Sequence, residues 1–363
     1  MMTMITEAPA FDAARAERFA EHMARALNDA ALVIMTSIGH RSGLFDTMAR
    51  ISRPATSIGI AAEAGLAERY VREWLAAMTT GGVLEYDPAG GTWRLPPEHA
   101  AWLTRAASPN NLAVTAQFIP QMGAMQALIL ERFRTGGGTV YADYPCFHEV
   151  MAEDSGQTVV AALFDSILPL VPGLMGRLEA GIEVLDAGCG RGRALLEMAA
   201  RFPHSRFTGY DLCEEAVAWG RARAAERGLT NLRFEARDLA GWEEPGRFDL
   251  VCTFDAVHDQ RDPAGLLRGI ARSLNPGGVY LMQDIGGSSR LQDNLGHPFG
   301  TLLYAISTMH CMPVSLGQGG PGLGTMWGEE TAERMLREAG FAAVEKHRLP
   351  HDPMNVYFVA RNQ

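Results

Sequence analysis

The sequence predicts an α/β protein in which a doubly wound, mostly parallel sheet follows an N-terminal helical and winged-helix region. After Ile182, short apolar stretches alternate with helical ones, as expected for parallel strands joined by crossover helices. A glycine-rich loop directly follows the first of these stretches. Before residue 105 the apolar residues recur at helical spacing, and the pattern ends in a predicted hairpin.

Length and composition limit the classes of protein to consider. A chain of 363 residues suggests two or three folding units, and 47% apolar with 20% charged residues is typical of a globular protein. The net charge of -10 argues against nucleic acid or an anionic membrane as partner. Five scattered cysteines without a CxxC pair, and the lack of a signal-peptide pattern, predict a cytoplasmic location. The opening MTMIT resembles a vector-derived leader.

Residues 1–105 are predicted to form a helical and winged-helix domain. The segment ALVIMTSIGHRSGLFDTMA predicts a buried helix that ends near Gly43. From Thr56 the pattern predicts a short helix, a turn at Gly65, a longer helix from Ala67 to Met78, and a hairpin around DPAGG. This order of elements is that of a winged helix-turn-helix.

A winged helix invites a DNA-binding interpretation, in which Arg69 and Arg72 of the second helix would contact the duplex. The charge opposes this interpretation. The first 105 residues carry more acidic than basic side chains, and Glu68 and Glu73 share the helix with both arginines. A role in dimerisation or in closing over a substrate is therefore favoured, which predicts a homodimer.

Residues 106–181 are predicted to be a mostly helical linker. It is interrupted by GGGTVYADYP, whose glycines and Pro145 break the helical pattern. The interruption predicts either a loop that folds over a ligand or a plain interdomain connection.

Residues 182–363 are predicted to form the sheet domain. Its final helix is followed by two strands, of which the last is expected to insert antiparallel. Residues 286–328 form an insertion before that helix, placed to cover a substrate.

The loop in LDAGCGRGRA indicates which ligand the sheet accepts. Gly188 and Gly190 follow a strand, where the backbone turns tightly and approaches a ligand. The dinucleotide pattern GxGxxG would need a small residue where Arg193 stands. Asp186, at the strand end, would repel a pyrophosphate and attract the ammonium of S-adenosylmethionine.

Two further carboxylates follow the next strands. Asp211 in GYDL comes about 20 residues after the loop, where a carboxylate accepts hydrogen bonds from both ribose hydroxyls. Asp238 in ARDL is placed to accept from an adenine amino group, and Leu212 and Leu239 are available to pack against the adenine faces. Each acid alone is typical of a solvated loop, whereas together with the loop they predict an S-adenosylmethionine site.

The stretches LDAGCGRG, GYDL, ARDL, FDLVCTFDAVHD and LNPGG resemble the successive motifs of class I S-adenosylmethionine-dependent methyltransferases, from Ile182 to the C-terminus. The winged helix and helical linker resemble a bacterial two-domain group of that family and, more distantly, winged-helix O-methyltransferases that act on small molecules. The resemblance implies a Rossmann-like fold, S-adenosyl-L-methionine as cofactor, a small-molecule methyl acceptor, and Cys189 and Phe254 among the cofactor-binding residues.

In those O-methyltransferases a His-Asp pair follows the fourth strand, and His258 with Asp259 falls on that position. The resemblance implies that His258 is the general base and that Asp255 or Asp259 orients its imidazole. Gln260 stands where the plant enzymes have tryptophan. A packing or helix-start role for His258 is the alternative, and Asp284, ending the fifth strand, is the next candidate.

In the insertion, His297, Tyr304 and His310 are further candidates on the substrate side, and no resident metal is expected because His297, His310 and Cys311 lack ligand spacing. The sequence thus predicts methyl transfer to a small molecule, with oxygen favoured as the atom that is methylated. The alternative is a winged-helix transcriptional regulator that senses S-adenosylmethionine or a metabolite. Methylation of RNA or protein is disfavoured by the acidity and by TFDA in place of an amide-clamping motif.

Overall fold

The computed structural model describes residues 11–362, so the predicted leader MTMIT lies outside the described residues. The chain divides into two compact units, of which the first ends at Ala106 and the second begins at Ala107. Residues 107–181 therefore belong to the same unit as the sheet. No single helix within residues 11–362 is long and apolar enough to cross a bilayer; one pair bent by 106° passes that test only when its two parts are joined.

The first unit is a winged helix, as predicted, and two helices precede it where the sequence predicted one. Asp12 and Thr56 cap the first and third helices by accepting the hydrogen bonds of Arg15 N and Gly59 N. Gly65 ends the third helix in the left-handed conformation, which glycine adopts without strain. The elements are α1 (Ala13–Arg41), α2 (Leu44–Ile51), α3 (Ser57–Ala64), α4 (Glu68–Thr80), β1 (Glu85–Asp87), β2 (Thr92–Arg94) and α5 (Pro97–Leu103).

The prediction of a buried helix before Gly43 is only partly right. Helix α1 does end there, and Gly43 opens α2 with a positive φ of 74°. However, one face of α1 leaves its apolar side chains in solvent, and within the predicted segment these include Ile34 and Ile38, which are 40% and 45% exposed. The apolar periodicity was correct, but it marks a face that no residue of the described chain covers.

Helix α4 does not present a free basic face. Arg69 pairs with Glu73, and Arg72 pairs with Glu68 at 3.4 Å, in each case one turn away on the same helix. The two arginines singled out for DNA contact are therefore neutralised locally.

The second unit begins with helices that lead to the sheet. These are α6 (Leu112–Thr115), α7 (Phe118–Thr135), α8 (Phe147–Thr158) and α9 (Leu174–Ala180). Strands and crossover helices then alternate: β3 (Glu183–Ala187), α10 (Arg193–Arg201), β4 (Arg206–Asp211), α11 (Glu214–Glu226), β5 (Leu232–Ala236), β6 (Phe248–Phe254), α12 (Pro263–Ser273) and β7 (Leu274–Ile285). The last elements are α13 (Gly300–Ile306), α14 (Met312–Gly317), α15 (Glu329–Glu338), β8 (Ala343–His347) and β9 (Asn355–Arg361).

The sheet has seven strands in the order β5-β4-β3-β6-β7-β9-β8. The first five run parallel, and β9 inserts antiparallel between β7 and β8, which confirms the predicted antiparallel last strand. The order reverses between β3 and β6, the point at which an open parallel sheet leaves a crevice beyond the carboxyl ends of its strands. The glycine loop follows β3, and His258 follows β6, so both lie at this crevice.

Candidate active site

Two cavities of the second unit adjoin at the carboxyl edge of the sheet. The loop cavity, about 130 Å³ in volume, is lined by the glycine loop after β3. The His258 cavity, about 100 Å³, is lined by His258 and by residues of α7, α8 and the insertion. Phe254, Asp255 and Asp259, at and just after the end of β6, line both cavities. Two groups bound in the two cavities would therefore lie next to each other beside these residues.

The glycine loop has the backbone geometry that a close ligand approach needs. Gly190 has a φ of 53°, and a side chain added there would meet nothing within 4 Å, so its face is open to the loop cavity. Gly188 has a φ of 81°, and an added Cβ would lie 2.6 Å from that of Ala256. Each position requires glycine for a separate reason.

The two acids predicted to bind the cofactor both line the loop cavity. Oδ1 of Asp186 is buried and receives no hydrogen bond from residues 11–362, which fits a ligand that brings an ammonium group. Burial, with a contribution from Asp211, raises the pKa of Asp186 to about 8. Asp211 accepts hydrogen bonds from Gly190 N at 2.7 Å and Cys213 N at 2.8 Å. These contacts fix its carboxylate and leave each oxygen a lone pair for a ribose hydroxyl.

The remaining predicted cofactor residues also line this cavity: Cys189, Leu212, Asp238, Leu239 and Phe254. Leu239 is buried, whereas Leu212 is 47% exposed. Asp238 is half exposed and forms an ion pair with Arg261 at 2.9 Å. Its carboxylate is therefore less available to an adenine amino group than the sequence suggested.

His258 is buried and held by a carboxylate that lies 26 residues away in the chain. Its Nδ1 is 2.8 Å from Oδ1 of Asp284, which also accepts hydrogen bonds from Trp327 Nε1 at 2.9 Å and from Ile285 N at 2.8 Å. The sequence-based expectation that Asp255 or Asp259 orients the imidazole was wrong, because Asp255 is 3.8 Å from Nδ1 and Asp259 bonds elsewhere. With Nδ1–H donating to Asp284, Nε2 is the nitrogen that can take a proton.

The charge state of His258 reflects two opposed effects. Burial lowers its pKa, but the attraction of Asp284, together with a contact to the Cys311 thiol, outweighs burial and raises the pKa well above its ordinary value. The same carboxylate that fixes the ring thus stabilises the imidazolium form.

Asp259 is engaged by the segment GGGTVYADYP. Tyr141 of that segment donates a hydrogen bond from its hydroxyl to Oδ2 of Asp259 at 2.6 Å, and its ring lines the loop cavity. Thr139 N donates to Pro313 O at 2.9 Å, so the segment also packs on the insertion. Of the two interpretations of this segment, the structure supports the one in which it folds over a ligand cavity.

Side chains of metal-ligand type come together at Asp255, His258 and Asp284, whose nearest ligand atoms lie within 4.8 Å of one another. Hydrogen bonds from His258 and Trp327 already hold Asp284, whereas Oδ1 of Asp255 lies 3.8 Å from His258 Nδ1. The set of residues differs from His297, His310 and Cys311, and the expected absence of a resident metal stays a prediction.

Of the three insertion residues named as candidates, His310 lines the His258 cavity. Its ring stacks on Phe147 with centroids 4.3 Å apart, and burial lowers its pKa to about 3. His297 instead accepts from Phe299 N, and the Tyr304 hydroxyl accepts from Asn294. These two side chains support the fold of the insertion.

Family models match both units of the chain. Residues 30–105 match the Rv2258c-like winged HTH domain, and residues 178–340 match the methyltransferase domain. The strand order, with an antiparallel strand inserted near one edge, is that of the class I fold. Residues 178–340 are a class I methyltransferase domain.

The curated relatives match about a third of the chain. The ubiquinone biosynthesis O-methyltransferase of Xanthomonas euvesicatoria pv. vesicatoria is 38% identical over 111 residues, 30% of this chain and 46% of that protein. The polyketide synthase ThaQ of Burkholderia thailandensis is 38% identical over 121 residues, 32% of this chain and 6% of that protein. The matched region spans less than half the length of either relative.

Solved structures share the fold over nearly the full length of the chain. Human N-acetylserotonin methyltransferase in complex with SAM has a TM-score of 0.68 and 17% identity, covering 98% of this chain and 99% of that one. The mitomycin 7-O-methyltransferase MmcR has a TM-score of 0.67 and 18% identity, covering 96% and 100%. At this identity the likeness concerns the fold.

Sequence reasoning missed several residues of the site. The position of Asp284 at a strand end was noted, but not its bond to His258. Asp154, which lines the His258 cavity, and Trp327, which bonds Asp284, carried no local signal. Their roles arise from packing between segments far apart in the chain.

Proposed function

We propose that the protein transfers a methyl group from S-adenosylmethionine to an oxygen of a small molecule. The observation that carries the proposal is the meeting of the loop cavity and the His258 cavity at Phe254, Asp255 and Asp259. S-adenosylmethionine, when bound, supplies an activated methyl group for in-line displacement. Asp186 and Asp211 would bind its amine and its ribose in the loop cavity, and the acceptor would lie in the His258 cavity.

In this proposal His258 removes the proton of the acceptor hydroxyl. Its Nε2 takes the proton, while Asp284 keeps Nδ1–H in place and stabilises the imidazolium that forms. Trp327 and Ile285 N fix the carboxylate by donating to the same oxygen. Because His258 and Asp284 are both buried, water is kept from the proton-transfer path. Asp259, paired with Tyr141, instead holds the segment over the loop cavity.

We also propose a homodimer that forms through the exposed face of α1. The apolar side chains of this face recur at intervals of four and seven residues: Phe19, Met23, Leu27, Ile34 and Ile38. A continuous apolar stripe on a 29-residue helix is typical of a surface covered by another helix, and a second copy supplies an identical one.

We also propose a cytoplasmic location, since none of the five cysteines forms a disulfide within the described chain.

The alternative, a regulator that binds DNA through the winged helix, is opposed by the charge of α4. The arginines of α4 are paired with glutamates of the same helix.

The proposal is tested by following the labelled methyl group of S-adenosylmethionine in a metabolite extract and in panels of phenols, RNA and protein. Label in a small molecule is expected, and it should depend on Asp211, because the Asp211→Ala variant loses the ribose contact. Label found only in RNA or protein would contradict the proposal.

A further inference from the structure

The charged side chains that line the His258 cavity are mostly acidic. No arginine or lysine from residues 11–362 lines it, yet Asp154, Asp255 and Asp259 all do. Burial, followed by the charge of Asp255, raises the pKa of Asp154 to about 7. The one potential cation among the described residues of the lining, the imidazolium of His258, is already paired with Asp284. A carboxylate or phosphate ligand would therefore enter a cavity whose acids outnumber its cations, at a high electrostatic cost.

Most of the polar atoms in this lining that lack a hydrogen-bond partner are hydrogen-bond acceptors. Within the described part of the chain, the buried atoms of this cavity without a hydrogen-bond partner are four oxygens and one imidazole nitrogen: Asp255 Oδ1, Asp259 Oδ1, Gln283 Oε1, Asn355 Oδ1 and His310 Nδ1. Carboxylate and amide oxygens only accept hydrogen bonds. Buried acceptors without partners indicate a ligand that donates.

The hydrogen bonds of Asp352 explain why the side-chain amide oxygens of Gln283 and Asn355 have no partner. The side-chain nitrogen of Asn355 donates to it at 2.8 Å, that of Gln283 at 3.4 Å, and the Tyr357 hydroxyl at 2.8 Å. Because Asp352 takes the NH₂ end of each amide, the carbonyl ends of Gln283 and Asn355 remain for the cavity. Both residues are at least nine-tenths buried, at 2% and 5% exposure.

The rest of the lining suits an aromatic ring. Phe147 stacks on His310 at 4.3 Å between centroids, and Tyr144 meets the same imidazole edge-on at 4.5 Å. His310 is uncharged at neutral pH because its pKa is lowered, so it does not repel a cation. The positive charge of a protonated His258 is balanced by Asp284.

We propose that the methyl acceptor is an aromatic hydroxyl compound carrying an ammonium group, and that Asp154, with Gln283 Oε1 and Asn355 Oδ1, binds the ammonium. An ammonium has three N–H donors, which matches these acceptors, and an aromatic wall adds cation–π attraction. Asp154 lines the His258 cavity and not the loop cavity, so it recognises the acceptor without contacting the cofactor. This inference rests on the proposed function, since it names the acceptor of that reaction.

The test compares three phenols of similar size that differ in charge: tyramine, 4-ethylphenol and 3-(4-hydroxyphenyl)propanoate. Calorimetry first measures binding of S-adenosylhomocysteine and then, with that site saturated, binding of each phenol. We expect tyramine to bind roughly tenfold or more tightly than 4-ethylphenol, since hydrogen bonds to charged groups contribute this much, and the propanoate to bind most weakly.

Asp154→Asn should remove the preference for tyramine and leave the affinity for 4-ethylphenol unchanged. Asp165→Asn, the same change at an exposed helical position outside the cavity, should preserve the preference. The inference is overturned if S-adenosylhomocysteine binds but tyramine does not, if tyramine binds no better than 4-ethylphenol, or if the propanoate binds best. Failure of S-adenosylhomocysteine itself to bind would instead count against the proposed function.

Discussion

Nδ1 of His258 lies 2.8 Å from Oδ1 of Asp284, and both side chains are buried at the junction of β6 and β7 with the insertion. The ring is therefore fixed in orientation and tautomer before any acceptor binds. In the proposed reaction His258 is the catalytic residue, and Asp284 is a positioning residue that acts through it. This pair, the glycine loop and the surface of α1 give five testable predictions.

The His258→Ala variant should lose turnover and keep its cofactor site. His258 lines the His258 cavity and not the loop cavity, so removing the base should lower kcat about 10²- to 10⁴-fold while the affinity for S-adenosylhomocysteine stays within twofold of wild type. Steady-state kinetics and calorimetry measure the two effects. Full turnover of this variant on an identified acceptor would remove His258 from the mechanism.

Activity should rise with pH. A general base must be unprotonated, and the raised pKa of His258 means that its neutral form gains population only above the ordinary value of about 6.5. The profile of kcat/KM should therefore show a limb that increases through a pKa above 6.5. A profile that is flat between pH 6 and pH 9 would show that no such base is used.

Replacing Asp284 with Asn should shift the rising limb of the kcat/KM profile along the pH axis and should also lower kcat. Loss of the carboxylate removes the attraction that raises the pKa of His258, so the limb should shift to lower pH, and kcat should fall about 10²-fold or more through loss of orientation. Asp293→Asn, the same change at a surface ion pair with Arg290, is the control and should alter neither. A purely structural role for Asp284 predicts a lower yield of folded protein with an unmoved limb.

Two glycine-to-alanine variants distinguish an effect on the free energy of unfolding from an effect on cofactor affinity. Gly190 and Gly228 both have positive φ, of 53° and 64°, and a Cβ on either meets nothing within 4 Å. Changing either to Ala should reduce the free energy of unfolding by about 1 kcal/mol, the strain of that conformation. Only Gly190→Ala should weaken S-adenosylhomocysteine binding, since only Gly190 lines the loop cavity. Equal affinities of the two variants would place the cofactor elsewhere.

Leu27→Glu should disrupt the proposed dimer. The side chain is 71% exposed on α1, and a carboxylate there would have to be buried against a second copy. Light scattering after size-exclusion chromatography should give twice the chain mass for the wild type and the single mass for the variant. Ile58→Glu adds the same charge at an apolar side chain of α3 that is 72% exposed, and it should stay dimeric. A monomeric wild type would contradict the proposal.

The sequence predicted the fold and the loop cavity well, because their signals are local. Glycines after a strand and acids at strand ends, such as Asp186 and Asp211, are recognisable within a few residues and meet at one edge of a parallel sheet. The partner of His258 was not predictable in this way. Asp284 lies 26 residues from it, and Trp327 a further 43 residues on, so their meeting depends on how the insertion packs. Asp154, within an ordinary helical pattern, becomes notable only through the cavity it lines.

Calorimetric titration of S-adenosylmethionine and S-adenosylhomocysteine into the purified protein tests the central claim most directly. The account predicts one site per chain with micromolar or tighter affinity for both ligands, weakened at least about tenfold by Asp211→Ala, which removes the ribose contact. No binding of either ligand, or an affinity that Asp211→Ala leaves unchanged, would contradict it.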